Sequence, residues 1–262
     1  MSKQICLTAA IFSLISQAFA GDWGTTLSFE TRTSTEPIGK QRNLIENTLE
    51  FIPYYQLDAE TSFYGHIAVT KDLKNDRETS LSNAFVGVSR ALTEFETLSG
   101  KLSGEIRLYA PTNETSRDDQ SLRSRIYLSS SLKIPVPQLI NAAVTLRLNG
   151  YKNFNEFKTS ASGAVVTDRA FSEYISFSLS PLESITLSAY ATNTHYWNAY
   201  GTRTNDNFET GLAAAYAFNQ ATGLEIGQTL GGRTFGPSGS DFSVDFYDRD
   251  QSTLYVLITH SF

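Results

Sequence analysis

The sequence predicts an all-β chain that closes on itself, a transmembrane antiparallel up-and-down barrel of about 12 strands spanning residues 21–262 as one domain. Three observations carry this expectation. Apolar residues recur at every second position in segments near ten residues long. The connections between those segments alternate short and long. The alternation also runs to the last residue, Phe262, where a soluble domain ordinarily ends in a few loosely held polar residues.

The N-terminus sets the compartment. Residues 1–20 combine a lone Lys3, an apolar stretch through Ile11, Phe12, Leu14 and Ile15, and the small-x-small ending Ala18-Phe19-Ala20. This is the pattern of a secretory signal peptide cleaved after Ala20. Ser13, Ser16 and Gln17 break the stretch well short of the roughly 20 apolar residues that a spanning helix needs. Cys6 precedes the apolar stretch, so the remaining chain carries no cysteine. That chain has 20 basic residues against 27 acidic ones, a balance that predicts no nucleic-acid partner. Nowhere after residue 20 is an apolar run long enough for a helix to cross a bilayer; an exported chain of this kind enters a membrane only as strands.

Twelve segments follow in order. The first, 22–33, sets Trp23 outward and Glu30 and Arg32 inward. The second, 46–58, turns Phe51 and Tyr55 outward and Glu50 and Tyr54 inward, with Pro53 removing a ladder hydrogen bond at mid-strand. The third, 62–72, has Phe63 on the outer face and Tyr64 and Asp72 on the inner; the fourth is 82–92. In the fifth, 100–110, Leu102, Ile106 and Leu108 share one face, and Lys101, Glu105, Arg107 and Tyr109 share the other. The sixth, 121–134, repeats this with Ile126, Leu128 and Leu132 against Arg123, Arg125, Tyr127 and Lys133. The seventh, 141–152, points Arg147 and Tyr151 inward. The eighth, 168–180, directs Phe171 and Phe177 outward and Tyr174 inward. The ninth, 184–196, alternates Ile185, Leu187, Ala189 and Ala191 with Thr186, Ser188, Tyr190 and Thr192. The tenth, 207–218, holds Glu209 inward and Phe218 outward; the eleventh, 223–235, brings Glu225 and Arg233 inward; the twelfth, 251–262, closes the ring.

Two residues sit badly on this pattern. Glu173 falls on the outer face of the eighth segment and Gln228 on that of the eleventh. A lipid-facing charge at mid-membrane costs about 2–4 kcal/mol for Arg or Lys and less for Glu. Glu173 therefore implies a bulge, a different register, or a position near the headgroups.

The short connections (such as SPLES and FNQATG) follow even-numbered segments, and the long polar ones (such as PTNETSRDDQ and FGPSGSDFSVDFYDRD) follow odd-numbered ones. Short turns on one rim and long loops on the other place both termini on the short-turn side. An unpaired backbone N–H or C=O in hydrocarbon costs several kcal/mol, so the first strand must pair with the last. STLYVLITHSF is then the closing strand. Outward aromatics gather near the segment ends: Trp23, Phe51, Tyr55 and Phe63, with Phe177, Phe218 and Phe262, toward the short turns, and Phe171 and Trp197 toward the loops.

With a signal peptide, this alternation, and a last strand ending in Phe262, the chain resembles the bacterial outer-membrane β-barrel proteins of Gram-negative cells. The resemblance spans the whole mature chain and is architectural. It is similar to the small twelve-stranded monomeric porins for acidic oligosaccharides, and also to the outer-membrane phospholipase. It implies outer-membrane lipid and lipopolysaccharide as surroundings, and barrel assembly machinery that reads the terminal aromatic strand during insertion.

The phospholipase reading requires a lipid-facing His with a Ser two residues on, since the imidazole must reach the hydroxyl to act as base. His66 is followed at that spacing by Ala68, His195 by Trp197 and His260 by Phe262, so no catalytic residues are assigned and the chain is not expected to be an enzyme. No metal-ligand spacing is present and no cofactor is expected. Asp118 and Asp119, and Asp241, Asp245, Asp248 and Asp250, lack an ordered oxygen-ligand spacing and read as solvated loop.

The inner face carries the functional signal. Lys101, Arg107, Arg123, Arg125, Lys133 and Arg147 form a basic arc opposed in sign only by Glu105. Glu30, Glu50, Asp72, Glu209 and Glu225 form an acidic arc, against Arg32 and Arg233. In a closed ring the arcs face each other. Across a water-filled pore they set up a transverse field that selects small polar or charged solutes; in a plugged lumen they meet as salt bridges and nothing passes. A barrel without transport, acting through its surface loops, is the second reading. Inward tyrosines offer flat surfaces to sugars, and the loop after the eleventh segment is expected to fold over the mouth.

Overall fold

The computed structural model describes residues 23–36, 44–74, 77–95, 99–139, 141–204, 206–234, 244, 246–248 and 251–262. The expected signal peptide, 1–20, lies outside them. The strands are β1 (Trp23–Ser34), β2 (Ile45–Gln56), β3 (Thr61–Asp72), β4 (Thr79–Leu81), β5 (Ala84–Phe95), β6 (Gly100–Ala110) and β7 (Leu122–Pro135), followed by β8 (Ala142–Asn155), β9 (Thr167–Leu182), β10 (Ile185–Asn198), β11 (Asn207–Ala217), β12 (Thr222–Arg233) and β13 (Thr253–Ser261). Twelve are long; β4 is a three-residue piece. Each long strand pairs antiparallel with its neighbours in the chain, and β1 pairs with β13, so the sheet closes into a barrel. The seam runs from Thr26 opposite Ser261 to Ser34 opposite Thr253, and the Phe262 N–H donates to the Thr25 carbonyl at 2.9 Å. Closure satisfies the backbone groups that an open edge would leave bare in hydrocarbon.

Residues directly opposite across a ladder share a face. Arg107 lies opposite Tyr127 and Tyr127 opposite Tyr151, one inward row; Leu108 lies opposite Ile126, an outward one. On the outer face Ile106, Leu128, Leu148, Ile175 and Ile226 are each more than half exposed at mid-strand. Apolar exposure of that extent is untenable in water and natural against lipid. Trp23, Phe63, Phe177 and Phe218 lie exposed on this face toward the short turns, and Trp23 and Tyr55 pack at 4.8 Å between ring centres. The turns themselves are built by side-chain acceptors. Asp58 Oδ1 takes the N–H groups of Glu60 and Thr61, and Asn219 Oδ1 takes those of Ala221 and Thr222. A carboxylate or amide oxygen thus closes each turn without a further residue.

The structure completes several of the sequence expectations. The fourth segment, expected over 82–92, is the single strand β5, and the short β4 precedes it across a break at Ser82–Asn83. There the Ser82 hydroxyl accepts the Ala68 N–H, and Asn83 ties to Ser116 in the single helical turn Thr115–Asp119. Pro53 is accommodated by a gap in the ladder: β2–β3 pairing runs to Phe51 opposite Ile67 and resumes at Tyr54 opposite Tyr64. Glu173 needs no bulge or slipped register. It pairs in regular register with Leu148 and Asn193 on the outer face, and its carboxylate is held by His195 Nε2 at 3.1 Å. Gln228, also outward, donates to the Phe246 carbonyl at 2.8 Å. That contact brings part of the β12–β13 connection against the outside of the wall; most of the connection expected over the mouth lies outside the described residues.

Candidate functional site

The inner wall is built from alternate residues of every long strand. Its basic side centres on β6, β7 and β8, where aromatic and arginine side chains interleave. The Arg107 guanidinium lies 4.8 Å from the Tyr127 ring, 4.9 Å from Phe85 and 5.9 Å from Tyr64. It donates to both Glu105 oxygens at 2.9 Å and to the Tyr64 hydroxyl at 2.9 Å. Arg125 is placed between Tyr151 (4.3 Å) and Tyr109 (5.6 Å) and donates to Asn153 Oδ1 at 2.7 Å. Arg147 lies 5.0 Å from Tyr174, which stacks on Tyr190 at 5.6 Å. Cation–π contact and flanking hydroxyls hold these guanidinium groups extended along the wall, with their charge intact.

The other three basic residues lie toward the ends. Lys101 and Lys133 oppose each other near the short-turn rim, and Lys101 pairs with Glu94 at 2.9 Å. Arg123 sits where the β7–β8 register shifts between Leu122 and Ser124 and pairs with Glu156 just past β8. The structure therefore brings Arg107, Arg125 and Arg147 together and leaves Lys101, Arg123 and Lys133 at the margins.

The acidic side runs from β11 through the seam to β3. Tyr190 donates to Glu209 and Tyr255 to Glu225, both at 2.6 Å; Glu30 is bound by Arg32; Glu50 lies 3.8 Å from His66; Asp72 Oδ1 accepts the Lys74 N–H. Glu46, opposite Arg32 on β1 and Asp72 on β3, belongs to the same face. Its position at the start of the second segment carried the same parity as Glu50, so the sequence held that signal. Among the described residues, every ion pair of these two arcs joins side chains on the same strand, on adjacent strands, or just past a strand end; none spans the barrel. Two niches open on the inner wall: one of about 470 Å³ beside Arg107, Tyr109 and His66, and one of about 520 Å³ beside Glu209 and Arg233.

The three histidines lie in separate surroundings. His66 faces inward and stacks on Phe85 at 4.8 Å; His195 faces outward between Glu173 and Asp206; His260 faces outward with Thr222. None has a serine hydroxyl among its partners in these contacts. No group of three or more His, Cys, Asp or Glu arranged to hold a metal occurs among the described residues.

Neither a protein-family model nor a curated protein sequence matches this chain. Solved structures do. The crystal structure of an outer membrane channel from Pseudomonas putida F1 superposes with a TM-score of 0.62 at 13% identity, covering 93% of this chain and 96% of that one. The KdgM porin superposes with a TM-score of 0.52 at 10% identity, covering 90% of this chain and 99% of that one. At such identities the likeness defines the fold: this is a closed twelve-stranded antiparallel barrel of the kind that outer-membrane proteins adopt.

Proposed function

We propose that the chain is an outer-membrane channel through which small polar or charged solutes, acidic saccharides among them, diffuse passively. The observation that carries this reading is the inner wall. Two arcs of opposite charge lie on opposite sides: Arg107 pairs with Glu105 and Arg32 with Glu30 along the wall, while Arg125 and Arg147 rest against tyrosine rings and Glu209 and Glu225 accept tyrosine hydroxyls. Charges paired across the lumen would plug it. The wall charges left without an opposite partner face each other across the lumen and set up a field that orients a dipolar or ionic solute as it passes. The arginine–tyrosine ladder adds what a saccharide uses, flat ring faces for its apolar side and guanidinium donors for its carboxylate.

Among the described residues, the hydrogen-bond and ion-pair contacts of His195, to Glu173, Asp206, Arg203 and Asn193, include no serine hydroxyl, which favours a channel over a lipid-modifying enzyme. The apolar outer face and the aromatic residues at its margin favour the outer membrane as its location. Single-channel recording of the purified full chain in a planar bilayer tests the proposal. Stepwise conductance with a reversal potential that depends on the salt gradient is expected. A heat-modifiable, folded barrel without conductance refutes it and leaves the non-conducting surface barrel.

A further inference from the structure

An outer wall bathed in hydrocarbon is normally apolar along its whole span. From β8 to β12 this one is not. Lys152 lies opposite Arg169, Arg169 opposite Trp197, and Trp197 is bridged to Arg203, so three exposed cations and a tryptophan form one outward row on the long-loop side. Lys152 pairs with Asp168 and Arg203 with Asp206. Among the described residues Arg169 has no carboxylate partner; its guanidinium lies 5.7 Å from the Trp197 ring.

Four residues further down β9 and β10 the wall changes character. Leu148, Glu173, Asn193 and Phe208 share one row, and Leu146, Ile175 and Ala191 the next. Together they line an outward groove of about 840 Å³, with Val244 of the β12–β13 connection at its edge. Small side chains at Ser130 and Ala191 lower its floor between the leucines. At its head His195 bridges Glu173 at 3.1 Å and Asp206 at 2.9 Å. Asp206 is buried, but the Glu173 side chain remains 47% exposed and can still accept a hydrogen bond.

We infer that this groove seats one lipopolysaccharide molecule of the outer leaflet. From rim to midspan the wall presents cations, then an acceptor, then an apolar trough, and the ligand must present the matching order: anion, donor, acyl chain. The cation row spans three strand spacings, about 14 Å, wider than a single phosphate and suited to a headgroup carrying two. Glu173 separates the two lipid classes. The acyl chains of lipid A bear amide N–H and hydroxyl donors at their heads, whereas glycerophospholipid chains begin in ester carbonyls, which a carboxylate repels. The long-loop rim also faces the leaflet where lipopolysaccharide resides.

Native mass spectrometry of the full chain, delipidated in detergent and titrated with bisphosphorylated lipid A, dephosphorylated lipid A or phosphatidylethanolamine, tests the assignment. One bisphosphorylated lipid A per chain is expected, bound about tenfold more tightly than either other lipid. The double substitution Arg169→Gln with Lys152→Gln should lower its affinity about tenfold, and Ala191→Trp, which fills the trough, should do the same. Equal retention of the dephosphorylated lipid, preference for phosphatidylethanolamine, or no retention overturns the inference. These lipid comparisons use the unaltered chain, so they decide the matter even where a variant fails to fold, and none of them depends on conductance.

Discussion

Reversing the charge of Arg125 is the sharpest probe of the inner wall. Twelve strands spaced about 4.8 Å apart and tilted about 40° give a backbone radius near 12 Å. An arginine reaching about 6 Å inward leaves about 6 Å to an ion on the axis. At that distance one unit charge in water is worth about 0.7 kcal/mol, so Arg125→Glu, a change of two charges, shifts an ion's energy by about 1.4 kcal/mol. Screening at physiological ionic strength, with a Debye length of about 8 Å, roughly halves this. Cations should then gain about threefold in local concentration and anions lose about threefold, close to a tenfold change in their ratio. Arg125→Gln keeps a donor for Asn153 and should give half the free-energy shift. Lys101→Glu, at the rim and 73% exposed, should give much less. Reversal potentials in a planar bilayer under a salt gradient report the ratio directly. An unchanged reversal potential for Arg125→Glu, or an equal shift for Lys101→Glu, would refute the wall as the source of selectivity.

Three further outcomes follow from the same geometry. Gly211 faces Tyr190 so closely that an added Cβ would stand 2.2 Å from the ring; Gly211→Ala should displace Tyr190 from Glu209 and cost about 1–3 kcal/mol, read by urea unfolding in detergent. Removing residues 253–262 strips β1 and β12 of their shared partner and exposes two edges, so no heat-modifiable barrel should form in liposomes. The turn at Asp58 should be acid-sensitive. The backbone N–H of Glu60, and then that of Thr61, hold the exposed carboxyl below its ordinary range. A carboxyl lowered in the folded state contributes above its unfolded value and loses that contribution as pH falls through the folded one. Protease cutting at this turn should therefore rise in acid in the parent chain and be insensitive to the same acid range in Asp58→Asn, which keeps the acceptor.

The alternation of single segments made much of this molecule legible from its sequence. A period of two distributes Leu102, Ile106 and Leu108 to one face and Arg107 to the other whatever lies beside them, and the long strands follow that rule except at the register shifts in β5, β7 and β10. The same rule put Glu173 and Gln228 on the outer face, which the structure bears out. It could not supply their partners. His195 reaches Glu173 only because β9 and β10 set Asn193 opposite it, and Phe246 reaches Gln228 from a connection with no periodicity of its own. The break at Ser82–Asn83 was likewise invisible, since it depends on contacts with Ala68 and Ser116, each many residues away in the chain.

Face and order, then, belong to the sequence: hydrophobic alternation decides which side chains meet lipid, and connection length decides which rim each end occupies. Register and neighbourhood belong to the closed sheet. That Arg125 lies between Tyr109 and Tyr151, that Arg107 reaches the Tyr64 hydroxyl, and that Lys152, Arg169 and Arg203 share one row all depend on how adjacent strands slide against each other. A strand's own residues set its parity. Only the hydrogen bonds to both neighbours fix its offset, and the ring must close before every offset is determined.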